Sequence, residues 1–340
     1  MKKGFDRLKG VAAASAMGVG LIGGGSARAA TTTVPLGTSF TTMIAATING
    51  KSASATLTSI GGWSTADTFD IGEMSFSNST GTGYYDSFDG ALGMMVDGTA
   101  FQNPTATIQV VDDEVHSDTM VDIVAGIDAE ISYQFFGGLG GDSLGVVRAV
   151  YSVTNTTVAE KAVTLTVFGN LGSDGSTTVQ ASSSGDLITD GADTWTITND
   201  SGVAGQDSLL GDDPTLLITR YGTGATVVPT AVCELGGADS DCFENDYALT
   251  IAPGETQNIL VFVAAHKTIA GAEAAAATYT SLSKLRNKGL IPALTAAEKK
   301  SVVNYKYVPP SSDSGATGLL ALFGLLGVPA LLRRFRKTDA

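Results

Sequence analysis

Ala162-Val163-Thr164-Leu165-Thr166-Val167-Phe168 alternates apolar and polar residues with a period of two. In an extended chain successive side chains point to opposite faces, so Val163, Leu165 and Val167 share one face and Thr164 and Thr166 the other. That is the pattern of a half-buried strand. Every member is β-prone, β-branched or small except Leu165, so propensity and pattern agree. The run from Gly145 to Val153 is its clearest partner, with Asn155-Thr156-Thr157 supplying turn chemistry between them.

The same texture extends outward in both directions. Thr41 to Ile48 and Lys51 to Thr58 flank Asn49-Gly50. Asn-Gly between β-prone runs predicts a two-residue type I′ hairpin. Thr107 to Val111, Met120 to Ala125 and Ala129 to Phe136 are further strand candidates, bounded by Asp- or Gly-rich turns. Thr194 to Thr198, Thr215 to Tyr221, Tyr247 to Ile251 and Gln257 to Ala264 continue the series. Many short strands separated by turn signals predict a mainly β, antiparallel β-sandwich over residues 30–265, as one sandwich or two stacked in a supersandwich. No repeat of fixed period runs through it.

After His266 the texture changes. Ile269 to Lys288 is rich in Ala, Leu and Lys and stops at Gly289, which predicts a helix with a C-cap glycine. Thr295-Ala296-Ala297-Glu298 is a capping box that opens a second helix, expected to run to about Tyr305. Residues 266–307 are thus a helical extension packed on the body, followed by a Pro/Ser tether over 308–314.

The two ends carry topogenic signals. Lys2, Lys3, Arg7 and Lys9 precede the apolar run Val11 to Ile22, and Ala27-Arg28-Ala29 supplies an A-x-A site. Residues 1–29 therefore read as a secretory signal peptide, which implies Sec-type export machinery and signal peptidase as partners. At the other end, residues 315–332 form an uncharged apolar run of 18 residues. As a helix it would span ~27 Å, close to the hydrocarbon thickness of a bilayer. Arg333, Arg334, Arg336 and Lys337 follow in a basic tail, 333–340, as on the cytoplasmic flank of a transmembrane span.

The overall charge is −14, with net +4 in residues 1–29 and net +3 in residues 315–340, which leaves −21 on the segment between them. A body so acidic excludes nucleic acid as a partner recognised through the protein's own field.

Catalytic signals are sparse. The histidines are His116, in Asp112 to His116, which reads as a solvated acidic turn, and His266, read as a helix-entry residue. No G-x-S-x-G elbow, H-E-x-x-H or P-loop occurs. Carboxylates are plentiful, but a pair suited to glycoside hydrolysis can be drawn anywhere in such a chain. Trp195 reads as core and Trp63 as a loop aromatic open to sugar stacking. Cys233 and Cys242 enclose eight residues and, in an exported chain, predict a disulfide worth roughly 2–3 kcal/mol. Asp239, Asp241 and Asp246 around it form either a weak Ca²⁺ loop or a solvated acidic turn. Asp207, Asp212 and Asp213 form a second acidic turn.

The C-terminal arrangement resembles the tripartite sorting signals of Gram-negative bacterial surface proteins. Ser314-Gly315-Ala316-Thr317-Gly318 stands where the GlyGly-CTERM type has its Gly-rich motif, so Gly315 and Gly318 carry that resemblance together with the basic cluster. It implies a processing protease of rhombosortase type and delivery to the cell surface or outer membrane from an inner-membrane helix. Val308-Pro309-Pro310-Ser311 is similar, more loosely, to the PEP-CTERM motif. Tyr151 to Asn155, Asn170 to Gly175, Ser182 to Asp186, Ala252 to Thr256 and Leu294 to Glu298 resemble a group of uncharacterised exported bacterial β-sandwich proteins. Together these readings give an exported surface protein with a structural, adhesive or ligand-binding role. The alternatives are a secreted carbohydrate-active enzyme using paired carboxylates, or a surface module that binds a polysaccharide ligand.

Overall fold

The computed structural model describes residues 31–60, 69–88, 90–111, 114–140, 142–171, 177–232, 242–292 and 294–309. Nineteen strands form among them, in three antiparallel sheets. The largest sheet has the spatial order β1 (Thr32–Pro35), β8 (Thr107–Val111), β9 (Glu114–His116), β11 (Ile127–Gly137), β12 (Ser143–Asn155), β19 (Thr256–His266), β16 (Thr215–Thr219), β15 (Trp195–Asn199) and β14 (Thr178–Ser182). A tenth strand, β10 (Met120–Val124), pairs with β11 beside that path. The second sheet orders β17 (Pro229–Val232), β18 (Cys242–Ile251), β13 (Lys161–Asn170), β6 (Gly93–Val96) and β7 (Thr99–Ala100). The third is a meander of β2 (Phe40–Ile48), β3 (Lys51–Ile60), β4 (Ile71–Asn78) and β5 (Gly83–Tyr84).

The core lies between one face of the large sheet and the two smaller sheets. Val147, Ala149, Tyr151 and Val153 of β12, with Ile259, Val261 and Val263 of β19, meet Leu165 and Val167 of β13, Tyr247 and Leu249 of β18, and Met74 and Phe76 of β4. Two tyrosines fasten the layers at their polar tips. The Tyr133 hydroxyl donates to the carbonyls of Phe69 and Leu92, and Tyr151 donates to the same Leu92 carbonyl. Burial holds both phenols neutral by pushing their pKa values well above the ordinary range.

Asn49 and Gly50 take φ values of 49° and 72°, as the expected I′ turn requires, and β2 pairs with β3 through it. The expected pairing of Gly145–Val153 with Ala162–Phe168 does not form. β12 pairs with β11 and β19, whereas β13 pairs with β18 and β6 in the opposite sheet. The reason is Asn155, which is fully buried. Its Oδ1 accepts from the Thr157 N–H and hydroxyl, and its Nδ2 donates to the carbonyls of Ala159 and Ile251. The turn therefore carries the chain across the sandwich instead of back along β12. Asn78 and Asn199 end β4 and β15 in the same way, each accepting from the backbone and hydroxyl of the residue two positions on.

The far face of the large sheet is half covered by helices. The expected single helix is broken in two: α1 (Ile269–Ala276) passes through a 3₁₀ turn at Ala277–Thr280 and restarts as α2 (Leu282–Asn287) behind the Ser281 cap. Gly289, at φ 74°, closes α2 as expected. Its N–H reaches the Arg286 carbonyl and the Leu290 N–H reaches that of Leu285, a Schellman motif. The Thr295–Glu298 capping box opens α3 (Ala296–Ser301), which ends before Tyr305. Val302 turns extended there, and Val302–Asn304 runs along the part of β19 that β16 leaves unpaired. Asn304 imitates a strand: its side chain bonds both the N–H and the carbonyl of Leu260.

The described residues up to Lys306 form one compact unit. No helix among the described residues is long and apolar enough to cross a membrane. The signal peptide, Trp63, Cys233, Asp239, Asp241 and the 315–340 sorting segment lie outside the described residues.

Candidate functional site

Strand register sorts the outer face of the large sheet into rows that cross β11, β12 and β19. Gln134, Arg148 and Phe262 form one row, and Ser132, Val150 and Leu260 the next. Then come Glu130, Ser152 and Asn258, and last Asp128, Thr154 and Thr256. The first rows lie under the helical layer, where Phe262 packs against Tyr279 and Tyr305 at ring separations of 5.6 and 6.4 Å. The last two rows are polar and open.

At that open end the sheet floors a cavity of about 500 Å³, walled on one side by Ala297, Glu298 and Ser301 of α3. Thr119 joins it to a second cavity of about 860 Å³ between Leu36–Gly37 and Gln102–Ala106. Sharing that residue, the two cavities adjoin as a groove. Among the described residues its walls carry hydroxyls, amides and the carboxylates of Asp128, Glu130 and Glu298, and no basic or aromatic side chain. Asp128 accepts from the Asp122 N–H at 3.0 Å, and Glu130 accepts from the Thr119 hydroxyl. Thr154 and Thr256 share a hydroxyl contact of 2.7 Å. Asn258 donates to the Ser301 hydroxyl at 2.8 Å, while its own Oδ1 is buried without a partner. Glu298 is occupied, because its Oε2 accepts from the Thr295 N–H of the capping box at 2.6 Å.

Where the covered and open halves meet, a charge pair is sealed in. The Arg148 guanidinium is 0 % exposed and Glu114 5 %. Arg148 Nη2 donates to Glu114 Oε1 at 2.5 Å, and the Ser132 hydroxyl donates to the same oxygen at 2.7 Å. Nη1 reaches the Leu290 carbonyl, and the Phe136 ring lies 5.8 Å from the guanidinium carbon. Burial lowers the Arg148 pKa, and Glu114 opposes that shift. The expected solvated acidic turn at Asp112–His116 is therefore corrected in its second half. Glu114–His116 is strand β9, and His116 Nε2 sits 3.8 Å from Glu114 Oε2.

His266 is not a helix-entry residue but the last residue of β19, flanked in register by Ser143 and Thr215. It is 2 % exposed, with both ring nitrogens unpartnered, and burial pulls its pKa down to about 4 against the opposing field of Asp142. A general base needs an orienting partner and a path to substrate, and His266 shows neither. Trp195, expected in the core, is half-buried at the start of β15. Of the second acidic turn, Asp207 and Asp212 are exposed and Asp213 is buried; the Ile269 N–H donates to the Asp207 carboxylate, and the Asp212 backbone carbonyl accepts from the Tyr85 N–H.

Of the candidate Ca²⁺ ligands, Asp246 lies on β18 and accepts from the Thr166 hydroxyl at 2.6 Å. No cluster able to hold a metal occurs among the described residues. Cys242 opens β18, and the side chains of the expected disulfide lie outside the described residues. Sequence reasoning missed the groove. Its signal was present in the strand ends, where Ser152 and Thr154 follow Val150 on that face of β12.

No known protein family and no curated protein matches the chain. Among solved structures it is similar to a galactose mutarotase-like protein from Lactobacillus casei, at 11% identity and a TM-score of 0.34, over 67% of this chain and all of that one. A polysaccharide lyase matches at 14% identity and a TM-score of 0.32, over 65% of this chain. A heparan sulfate lyase from Pedobacter heparinus matches at 10% and 0.31, over 64%. The chain spans about a third of the length of each lyase, 33% and 34%. Likeness at these TM-scores carries no argument about function.

Proposed function

We propose that this is an exported, surface-sorted β-sandwich protein that binds a polysaccharide in the groove on the large sheet. The groove carries the reading. It is open and joins two adjoining cavities, and its hydroxyls, amides and carboxylates can exchange hydrogen bonds with successive sugar hydroxyls. Binding without turnover is favoured over hydrolysis. Asp128 and Glu130 stand on the same face of one strand, and Glu298, opposite them, is held by its own helix cap. Among the described residues no free pair of carboxyl groups thus flanks a bound glycosidic linkage across the groove. Calorimetric titration with neutral hexasaccharides should give saturable binding without release of reducing ends. Absence of binding to any glycan would overturn the reading, and reducing-end release would replace it with an enzyme.

The address belongs to the same proposal. Residues 1–29 direct export, and 315–340 act as a sorting signal processed by a rhombosortase-type protease at Gly315–Gly318. Neutralising Arg333, Arg334, Arg336 and Lys337 removes the charge that holds the helix end on the cytoplasmic side. The variant should be missorted or released, and unchanged fractionation would refute a sorting role.

A further inference from the structure

We infer that α1 is an acid-released cover: protonation of His266 beneath it lifts the helix from the end of the large sheet while the sheet itself stays folded. Strand alternation puts His266 on the face of β19 that Phe262 turns toward Tyr279 and Tyr305. α1 packs there against β19, β16, β15 and β14. The ring is sealed, 2 % exposed, between its register neighbours Ser143 and Thr215, which are buried as well. Neither hydroxyl and neither ring nitrogen has a hydrogen-bond partner. An imidazolium donates from both nitrogens and needs acceptors or water, and the closed site gives it neither.

What holds the cover is slight and polar. Its buried side chains are Ala272 and Ala276, so little apolar surface opposes release. Its first turn is fastened by two carboxylates. Asp142 accepts from the Thr268 hydroxyl at 2.6 Å and, through its backbone carbonyl, from the Lys267 N–H at 3.0 Å. Asp207 accepts from the Ile269 N–H at 2.7 Å. Gly271 lets the helix sit this close, because a Cβ there would come within 2.6 Å of the Asp142 Cβ. The charged and titratable groups on the surrounding elements are Asp142, Asp207, Lys267, the exposed Glu273 and the buried phenol of Tyr84, which the fields of Asp207 and Asp142 reach. None of them bonds to the ring.

Burial is the larger influence on His266 and lowers its pKa to about 4, against the opposing field of Asp142. Released into water, the ring returns to the ordinary 6.5. The closed form therefore keeps its full advantage above about pH 6.5 and loses it as pH falls through 4. With those two values the opening constant of α1 rises about 20-fold between pH 7 and pH 5.

Hydrogen exchange of the full chain, read by mass spectrometry and corrected for the intrinsic pH dependence of exchange, tests this. Amides of α1 should lose protection about 20-fold from pH 7 to pH 5 while those of β11 and β12 keep theirs. His266→Asn should flatten the response. Gly271→Ala crowds Asp142 and should raise exchange of α1 about tenfold at pH 7 already, the scale of one overpacked contact, with β11 and β12 unchanged. A flat pH response of α1 would overturn the inference, and so would a rise shared equally by β11 and β12, which is global unfolding. A rise that survives in His266→Asn would overturn the role of the histidine. Unaltered exchange of α1 in Gly271→Ala would show a helix held more firmly than a releasable cover allows.

Discussion

Replacing Glu114 with glutamine removes one negative charge and almost no volume. Arg148 stays where the fold puts it, 0 % exposed, between the Leu290 carbonyl and the Phe136 ring. Its Nε already lacks a partner, so the substitution leaves a buried guanidinium without a countercharge, held by the Leu290 carbonyl, the Phe136 ring and a neutral amide oxygen. Stranding one member of a buried pair costs about 3–5 kcal/mol. Charge accounts for most of that figure, because the glutamine amide oxygen can still accept from Ser132 and Arg148. Glu114→Gln should therefore lower the free energy of unfolding by about 3 kcal/mol, at the bottom of the range. The double variant Glu114→Gln/Arg148→Met removes the stranded cation and keeps an unbranched side chain under Leu290. It should recover to within about 1–2 kcal/mol of the parent. Urea unfolding followed by circular dichroism gives both numbers, and the slope should stay constant if the denatured state is unaffected. Added salt should leave the difference in place, since a pair shielded from solvent is screened little. A Glu114→Gln protein within about 0.5 kcal/mol of the parent, the range of an ordinary surface substitution, would refute the reasoning.

Three further outcomes are expected. His266 titrates near 4 when folded against the ordinary 6.5, so its contribution is intact above about pH 6.5 and is lost as pH falls through 4; over that window the parent should lose roughly 3 kcal/mol more than His266→Asn, and parallel pH–stability curves would count against burial of the neutral ring. In Gly145→Ala the new methyl would lie 2.6 Å from the Phe135 ring and 3.1 Å from the Phe76 ring, so about 1–3 kcal/mol should be lost to overpacking, and an unshifted urea midpoint would show that the two rings yield freely. Asn155 heads a glycosylation sequon but is 0 % exposed with its amide fully bonded, so expression beside an oligosaccharyltransferase should add no mass there, whereas Asn155→Ala should cost about 1–3 kcal/mol through the unpaired Ile251 carbonyl and Thr157 N–H.

What could be read from the residues was local. Asn49-Gly50, the alternation of Val163, Leu165 and Val167, the Thr295–Glu298 box and Gly289 each act within a few residues of themselves, and each does in the fold what its chemistry requires. Pairing was not legible in the same way. β12 and β13 look like hairpin neighbours because a turn joins them, yet whether that turn returns or crosses is decided by the Ile251 carbonyl, 96 residues away, to which Asn155 donates. Glu114 was hidden for a related reason. In Asp112-Asp113-Glu114 three adjacent acids read as one solvated run, and only Arg148, from a strand two places across the sheet, marks one of them as buried. α3 stopped short of its expected end because β19 has an unpaired edge there, a demand that no helix propensity encodes.

The groove follows from the same incomplete cover. A sheet with both faces apolar must be covered twice, and β12 is buried on both faces from Ser143 to Tyr151. Beyond Tyr151 its outward positions become Ser152 and Thr154, and β19 makes the same change at Asn258, while β11 is already polar on that face at Gln134 and Ser132. Helical cover there would bury these groups without donors, a loss of about 1–3 kcal/mol for each unsatisfied group. The helical layer instead ends at α3, whose Ser301 meets the first of them through Asn258. The Arg148–Glu114 pair sits at the boundary, with the cation under the cover and the carboxylate toward the open side. The polar rows therefore set where the helices must stop, and the surface they leave is the one available to a ligand. Lengthening the apolar rows, for example with Ser152→Val and Thr154→Val, would remove groove hydroxyls without adding any helix to cover the new surface. The energetics of the cover and the chemistry of the groove are thus two consequences of one change in residue type along two neighbouring strands, β12 and β19.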